Sequence, residues 1–362
     1  MIVAYVSGHG YGHATRVGEV LRAIRAQAPD VPLAVVTAAP EKLFRDVVAP
    51  PLAFRSRECD VGLAQKGPLL IDEEETAQRW REFAAGSAAR VKDESQWLHR
   101  VGARLVLADI PPLAFEAAAE AGVPAVGLTN FSWDWIYRHL APRQPALLEA
   151  AAVAAAAYGK AALLLQLPFA GDLSAFPRRE PIPMVARRPR MSRAEARARL
   201  ALPPSGACVL ASFGGIGMPA LDVRALRALG DLHFVIDAAE GPLPSNVFLV
   251  DAARREALGM RYQDLVRAAD VIVTKPGYGI VTDAIAAGAR IVYTERGDFP
   301  EYPVMVAEMP RYVPCAHLGN DDLLAGRWRP AIEAVLARPF PPPPDLGGAE
   351  IAAARLLDLA GA

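Results

Sequence analysis

"VIVTKPGYGIVTDAIAAG", residues 271–288, decides the reading of the fold. The β-branched run Val271–Thr274 reads as a buried strand that ends in Lys275, Pro276 and two glycines, Gly277 and Gly279, after which a helix begins. Strand, glycine turn and helix in that order make the repeating unit of a doubly wound sheet, whose ligands sit beyond the carboxyl ends of its strands. Asp283 lies about one turn inside the helix, and helical side chains tilt toward the N-terminus, so its carboxylate is expected to lean back to the turn. Turn amides with Lys275 suit a diphosphate, and two carboxylate oxygens suit the vicinal diol of a ribose. Together they describe a nucleotide-sugar site. The competing readings are an acid that merely suits the helix dipole at Asp283 and a solvated surface lysine at Lys275.

The same rhythm runs outward in both directions. Met1–Val6, Leu33–Thr37, Leu105–Ala108 and Ala125–Leu128 read as strands, with helices over Val17–Ala28, Trp80–His99 and Leu113–Ala121 between them. Pro177–Pro189, rich in proline and arginine, breaks the pattern and reads as an interdomain linker. A helix restarts where Ser192 and Glu195 have the spacing of a capping box. Strands then recur at Cys208–Ser212, Phe234–Asp237, Val247–Val250, Val271–Thr274 and Ile291–Thr294. The expectation is α/β: two doubly wound Rossmann-like domains, residues 1–180 and 190–340, facing each other across a cleft. An alanine-rich helix at 345–362 would pack back on the first domain.

Composition narrows the function classes. A chain of 362 residues is long enough for two α/β domains, and 52% hydrophobic with 22% charged residues describes a globular protein. The formal net charge of −1 gives no global reason to bind nucleic acid. Cys59, Cys208 and Cys315 are scattered and odd in number, which argues against a disulfide framework and for a reducing, cytoplasmic setting. Met1–Val6 is too short for a signal peptide, and Ala150–Leu167, interrupted by Lys160, reads as a buried helix and strand rather than a membrane span. The arginine-rich stretch Arg178–Arg199 would favour an anionic surface, hence peripheral membrane association; a solvated linker and helix face is the preferred reading.

Three further loops carry polar chemistry. "SGHGYGHATR", residues 7–16, follows the first strand with Gly10, Gly12, His9 and His13. It lacks the Lys-Ser/Thr ending of a nucleoside-triphosphate loop. His13 also stands where a dinucleotide fingerprint has its third glycine, and Thr37 ends the second strand where that fingerprint expects an acid. "SFGGIGMP", residues 212–219, places Gly214 and Gly215 before a helix N-terminus, a phosphate site or simply a turn. "TERGDFPEYP", residues 294–303, offers Asp298 and Glu301 to sugar hydroxyls. Asn130, Ser132, Trp133 and Asp134 follow another strand end and are candidates to line an acceptor pocket, the aromatic face stacking on a sugar ring.

Through "SGHGYGHATR", "TNFSWDWIY", "ASFGG" and "KPGYGIVTDAIA" the chain resembles the GT-B nucleotide-sugar glycosyltransferases. It looks most like the glycosyltransferase-like N-terminal domain of plant L-arabinokinase and, more distantly, the lipid-linked N-acetylglucosaminyltransferase of peptidoglycan synthesis. The resemblance implies a donor held by the C-terminal domain and an acceptor held by the N-terminal one. It puts Gly277, Tyr278 and Gly279 near the diphosphate, Asp283 at the ribose and Glu301 near the sugar. Related transferases usually carry Glu where Asp283 stands, and the kinase half of arabinokinase is missing. The implied reaction is inverting transfer from a nucleotide-diphosphate sugar, a UDP-sugar first, to a small-molecule, glycan or lipid-linked hydroxyl acceptor. His13 would be the base, Asp109 its orienting acid or an alternative base, and His9 the second choice. No Asp-x-Asp motif or His/Cys cluster calls for a metal, and no cofactor beyond the co-substrate is expected. A 2-epimerase or hydrolase and a noncatalytic nucleotide-sugar sensor are the alternatives.

Overall fold

The computed structural model describes residues 1–66, 70–213, 221–239 and 241–361. The first unit runs β1 (Ile2–Val6), α1 (Tyr11–Gln27), β2 (Leu33–Thr37), α2 (Lys42–Arg45), β3 (Ala53–Ser56), a short hairpin of β4 (Gln65–Lys66) and β5 (Leu70–Ile71), α3 (Glu73–Ala85) and α4 (Ser87–Arg100). It continues with β6 (Leu105–Asp109), α5 (Pro112–Glu120), β7 (Ala125–Thr129), α6 (Trp133–Leu140), α7 (Leu147–Tyr158), β8 (Leu163–Gln166) and β9 (Arg179–Pro181). The second unit comprises α8 (Arg193–Arg199), β10 (Ala207–Ala211), β11 (Leu232–Ile236), β12 (Val247–Leu249), α9 (Ala252–Ala257), α10 (Tyr262–Ala268), β13 (Val271–Thr274), α11 (Tyr278–Ala287) and β14 (Arg290–Tyr293). After these come α12 (Glu301–Glu308), β15 (Cys315–His317), α13 (Asn320–Leu324), α14 (Arg329–Leu336) and the terminal α15 (Gly348–Ala360).

Among the described residues the first sheet is ordered β3-β2-β1-β6-β7-β8-β9 and the second β12-β11-β10-β13-β14-β15, with parallel pairing throughout both. Every residue of β1, β2, β6, β7 and β13 is buried, as expected when helices cover both faces of a parallel sheet. Strand order reverses between β1 and β6 in the first sheet and between β10 and β13 in the second. Such switch points open a crevice beyond the strand ends. The loops after β1 and β6, and after β10 and β13, are therefore where a ligand fits.

Several boundaries differ from expectation, each for a local reason. α1 begins at Tyr11 rather than Val17, because Gly10 takes a positive φ of 78° as its N-cap and lets the helix start inside the glycine motif. The helix expected over Trp80–His99 is two helices broken at Gly86. β9 lies inside the expected linker and adds an edge strand to the first sheet, where the missing N–H of Pro181 is tolerated. The Ser192–Glu195 capping box is made, with both reciprocal hydrogen bonds.

The chain crosses back at its end. α15 packs on α1, with Arg22 3.2 Å from Glu350 and the Gln27 amide donating to the Glu350 carbonyl at 2.9 Å. The first turn of α15 is stitched to the connecting segment, the Gly348 N–H donating to the Met184 carbonyl at 3.1 Å. A Cβ on Gly348 would stand 2.2 Å from the Pro183 carbonyl oxygen, a backbone atom that cannot swing away. Gly348→Ala is expected to lower the unfolding free energy by about 1–3 kcal/mol, the usual cost of forcing an extra carbon into a packed site. A thermal melt of the variant that superimposes on the parent would contradict that packing.

Candidate active site

Because α1 starts at Tyr11, His13 and Arg16 lie three residues apart on one helical face, and both reach the carboxyl end of β6. β1 and β6 are paired with Val6 opposite Asp109, so the first glycine loop and Asp109 flank the same switch point. The His13 Nδ1 lies 2.8 Å from Asp109 Oδ1. Arg16 grips the same carboxylate with two nitrogens, its Nη2 at 2.6 Å from Oδ1 and its Nε on Oδ2. Arg16 also donates to Asn130 Oδ1 at 2.8 Å and Thr129 Oγ1 at 3.1 Å. Asp109 is fully buried. Burial alone would raise its carboxyl, but the Arg16 charge, with the hydrogen bonds from Arg16 and His13, outweighs it and holds the group below its ordinary value. Arg16 Nη2 also lies 3.2 Å from His13 Nδ1, but the Asp109 carboxylate is the closer partner at 2.8 Å and only accepts; Nδ1 therefore donates to it and the ring presents the Nε2 lone pair as a base.

A second acid supports the loop. Asp60 is buried, accepts from Ser7 Oγ at 3.0 Å and from Trp133 Nε1 at 2.8 Å, and has its carboxyl raised, chiefly by burial against those two hydrogen bonds.

The C-terminal unit meets this cluster directly. Gly277 caps α11 with no side-chain hydrogen bond, and a Cβ on Gly279 would stand 3.9 Å from the Cα of Gly12. The two glycine turns thus face each other across the interface, with Gly10 and Gly12 exposed. Lys275, at the end of β13, is half-buried; desolvation and then the Arg296 charge push its ammonium down to about 8. Arg296 lies along the same turn, donating to the Pro276 carbonyl at 3.3 Å. Glu301, at the start of α12, accepts from Asn130 Nδ2 at 3.2 Å and sits 3.7 Å from Arg296.

Several expected roles are not matched by the placements. Asp283 is buried and paired with Arg187 of the connecting segment, so its oxygens are engaged by a guanidinium rather than left free for a ribose. Tyr278 is also buried, its ring 5.1 Å beneath the Arg16 guanidinium and its hydroxyl accepting from the Val185 N–H at 3.2 Å. Its side chain is taken up by an interdomain contact. Asn130, Ser132, Trp133 and Asp134 are all buried and do not form an open acceptor wall. Trp133 stacks on Tyr137 and meets His9 and Phe131 edge-on. Asp298 is exposed but bound across the interface by His139 Nε2 at 2.9 Å and Arg143 at 2.5 Å. Gly214 and Gly215 lie outside the described residues.

Sequence reading missed Arg16, Asp60 and Phe169. The Arg16 signal is its three-residue spacing from His13, which places both on one helical face only because α1 starts at Tyr11. Phe169 adopts a positive φ of 62°, a backbone region costly for a bulky side chain. Its N–H donates to Glu308 Oε2 at 3.3 Å and its ring packs against Tyr278 and Tyr312 at the domain junction.

No family model matches the chain. Among curated proteins it is similar to the L-arabinokinase of Arabidopsis thaliana, 32% identical over 355 residues that cover 96% of this chain and 33% of that protein. The chain therefore spans about a third of the length of the relative it matches. Solved structures with the same architecture include the glycotransferase of kitacinnamycin, at 17% identity and TM-score 0.60 over 99% of this chain and 94% of that one. SnogD from Streptomyces nogalater matches at 18% identity and TM-score 0.57, over 100% and 99% of the two chains. Phytolacca americana UGT2, complexed with UDP-2-fluoro-glucose and pterostilbene, matches at 12% identity and TM-score 0.61, over 99% and 94%. The fold is GT-B.

Removing Arg16 leaves Asp109 charged and buried without its main partner, which is expected to cost about 3–5 kcal/mol in Arg16→Met by denaturant unfolding at neutral pH. The sign of its pH dependence follows from linkage. In the parent, the stability that Asp109 supplies is full above the unfolded carboxylate value near 3.9 and is lost as pH falls through the lower folded value. In Arg16→Met the folded value rises, and acid relieves the stranded charge. The gap between the two proteins should shrink below about pH 4; a gap that is constant or widens in acid would contradict the ion pair's role.

Proposed function

We propose that this chain is an inverting, metal-independent glycosyltransferase that moves a sugar from a nucleotide-diphosphate sugar, a UDP-sugar first, to a hydroxyl acceptor. The observation that carries the reading is the His13–Asp109 pair, 2.8 Å apart at one switch point, set against the uncapped glycine turn of α11 at the other. The GT-B likeness and the L-arabinokinase similarity support a nucleotide-sugar donor, and UGT2 was solved with UDP-2-fluoro-glucose.

In this mechanism the diphosphate lies at the Gly277–Gly279 turn, where the first N–H groups of α11 and the positive end of its dipole face it. Lys275 and Arg296 supply positive charge to the departing phosphate. Glu301 is the candidate sugar contact; to serve, it exchanges its Asn130 hydrogen bond for one to a sugar hydroxyl. The acceptor oxygen attacks the anomeric carbon from the face opposite the diphosphate. Its proton passes to His13 Nε2, the carbon–oxygen bond to phosphate breaks, and the electron pair leaves on the diphosphate. Asp109 keeps the His13 proton on Nδ1 and stabilises the imidazolium that forms.

Thermal-shift screening against nucleoside diphosphates and nucleotide sugars, followed by turnover assays with and without hydroxyl acceptors, tests the proposal. His13→Ala should reduce acceptor-dependent turnover by about 10²- to 10⁴-fold while leaving the donor-induced shift in place. Donor consumption that needs no acceptor would replace transfer with hydrolysis or epimerisation. Binding with no turnover that survives His13→Ala would make the protein a sensor. Because the Lys275 charge fades as pH rises through about 8, donor affinity should fall above that pH, as read by calorimetric titration. A flat affinity profile would remove Lys275 from the donor site.

A further inference from the structure

His9 is held differently from His13, and the difference assigns it a different task. Its ring sits against the backbone of Gly62, where a Cβ would stand 2.6 Å from the imidazole, and meets the Trp133 ring edge-on at 5.6 Å. The Gly62 segment is itself anchored, its carbonyl accepting from Tyr137 Oη at 3.0 Å, and the His9 N–H donates to Ser7 Oγ at 3.2 Å. The Leu63 N–H points at His9 Nδ1 from 3.4 Å. A backbone N–H can only donate, so Nδ1 offers a lone pair and a neutral ring carries its proton on Nε2.

The surroundings keep it neutral. Burial first, then the neighbouring His13 and the charges of Arg296 and Lys275, hold His9 down at about 3. The groups packed around the ring are otherwise uncharged: Gly62, Leu63, Trp133 and Ser7, with Asp60 behind the Ser7 hydroxyl. Arg296 and Lys275 come from the opposite domain. Arg296 lies 3.8 Å from where a Gly277 Cβ would stand, on the turn assigned to the diphosphate. A protonated imidazole beside two cations would be repelled, whereas a neutral one adds a directional donor at no charge cost.

We propose that His9 is a fixed hydrogen-bond donor and not a base. The Leu63 N–H locks its tautomer, and Nε2–H reaches an anionic phosphate oxygen of the bound nucleotide sugar beside Lys275 and Arg296. The identity of that anion rests on the function proposed above. The tautomer does not. The two histidines of one glycine loop thus divide the work, His13 taking a proton at Nε2 and His9 giving a hydrogen bond from Nε2.

Long-range proton–nitrogen correlation spectra of the ¹⁵N-labelled full chain, with His9→Gln identifying the signal, read the tautomer directly. Between about pH 5 and pH 8 His9 should show a bare Nδ1 and a protonated Nε2 that do not titrate; a titrating ring, or a proton on Nδ1, overturns the proposal. Calorimetric titration with uridine and guanosine diphosphates tests the contact. His9→Ala should weaken the better-bound nucleotide by roughly ten- to a hundred-fold. His9→Gln, whose side-chain NH₂ can replace Nε2–H, should recover most of the loss, and melts of both variants report whether they fold. Binding by the parent that His9→Ala leaves unchanged overturns the contact alone. A parent that binds neither nucleotide overturns the contact together with the donor reading beneath it.

Discussion

Everything at the centre of this molecule is arranged around one buried ion pair, Arg16 on Asp109. A carboxylate taken wholly out of water is unstable unless its oxygens are matched, and here they are held by two guanidinium nitrogens and one imidazole N–H. The pair joins the helix after β1 to the end of β6, so it closes the switch point of the first sheet. The remaining Arg16 donors run to Thr129 and Asn130 at the end of β7, tying a third strand end to the same charge. The consequence for chemistry is a fixed tautomer at His13.

The same guanidinium is the meeting point of the two domains. Its face lies over the Tyr278 ring, and Asn130, which it orients, reaches Glu301 on the far side. Around this centre an apolar cluster that includes Val17, Phe169, Met184, Tyr278 and Val281 spans the junction, with polar contacts beside it: Asp298 held by His139 and Arg143, Glu308 by the Phe169 N–H, Tyr278 by the Val185 N–H. The positive φ of Phe169 stores backbone strain at the junction, where the packing of its ring against Tyr278 and Tyr312 offsets it.

Much of the architecture was legible in the amino-acid order because it rests on short-range periodicity. β2 and β13 occur at the expected residues, and the other expected strands differ by a residue or two at their ends. The glycine turns and the Ser192–Glu195 box follow from the same local rules. The edge strands β3, β9 and β15 were less visible, since short strands with exposed positions lack the continuous apolar run of a buried one.

By itself the sequence determined a doubly wound two-domain chain, a GT-B-like plan, and which loops carry the histidines, glycines and acids. Only the tertiary structure decided what each polar side chain is for. Asp283, suited by position to a ribose, is taken by Arg187 from another segment; Trp133, suited to stack on a sugar, fills an aromatic cluster and donates to Asp60. Arg16, unremarked in the order of residues, becomes the hub. The reason is physical: hydrophobic period and turn chemistry are written within a few neighbours, whereas a charge takes its role from whichever partner the fold brings within hydrogen-bond reach. That partner lies ninety-three residues away for Arg16 and ninety-six for Asp283.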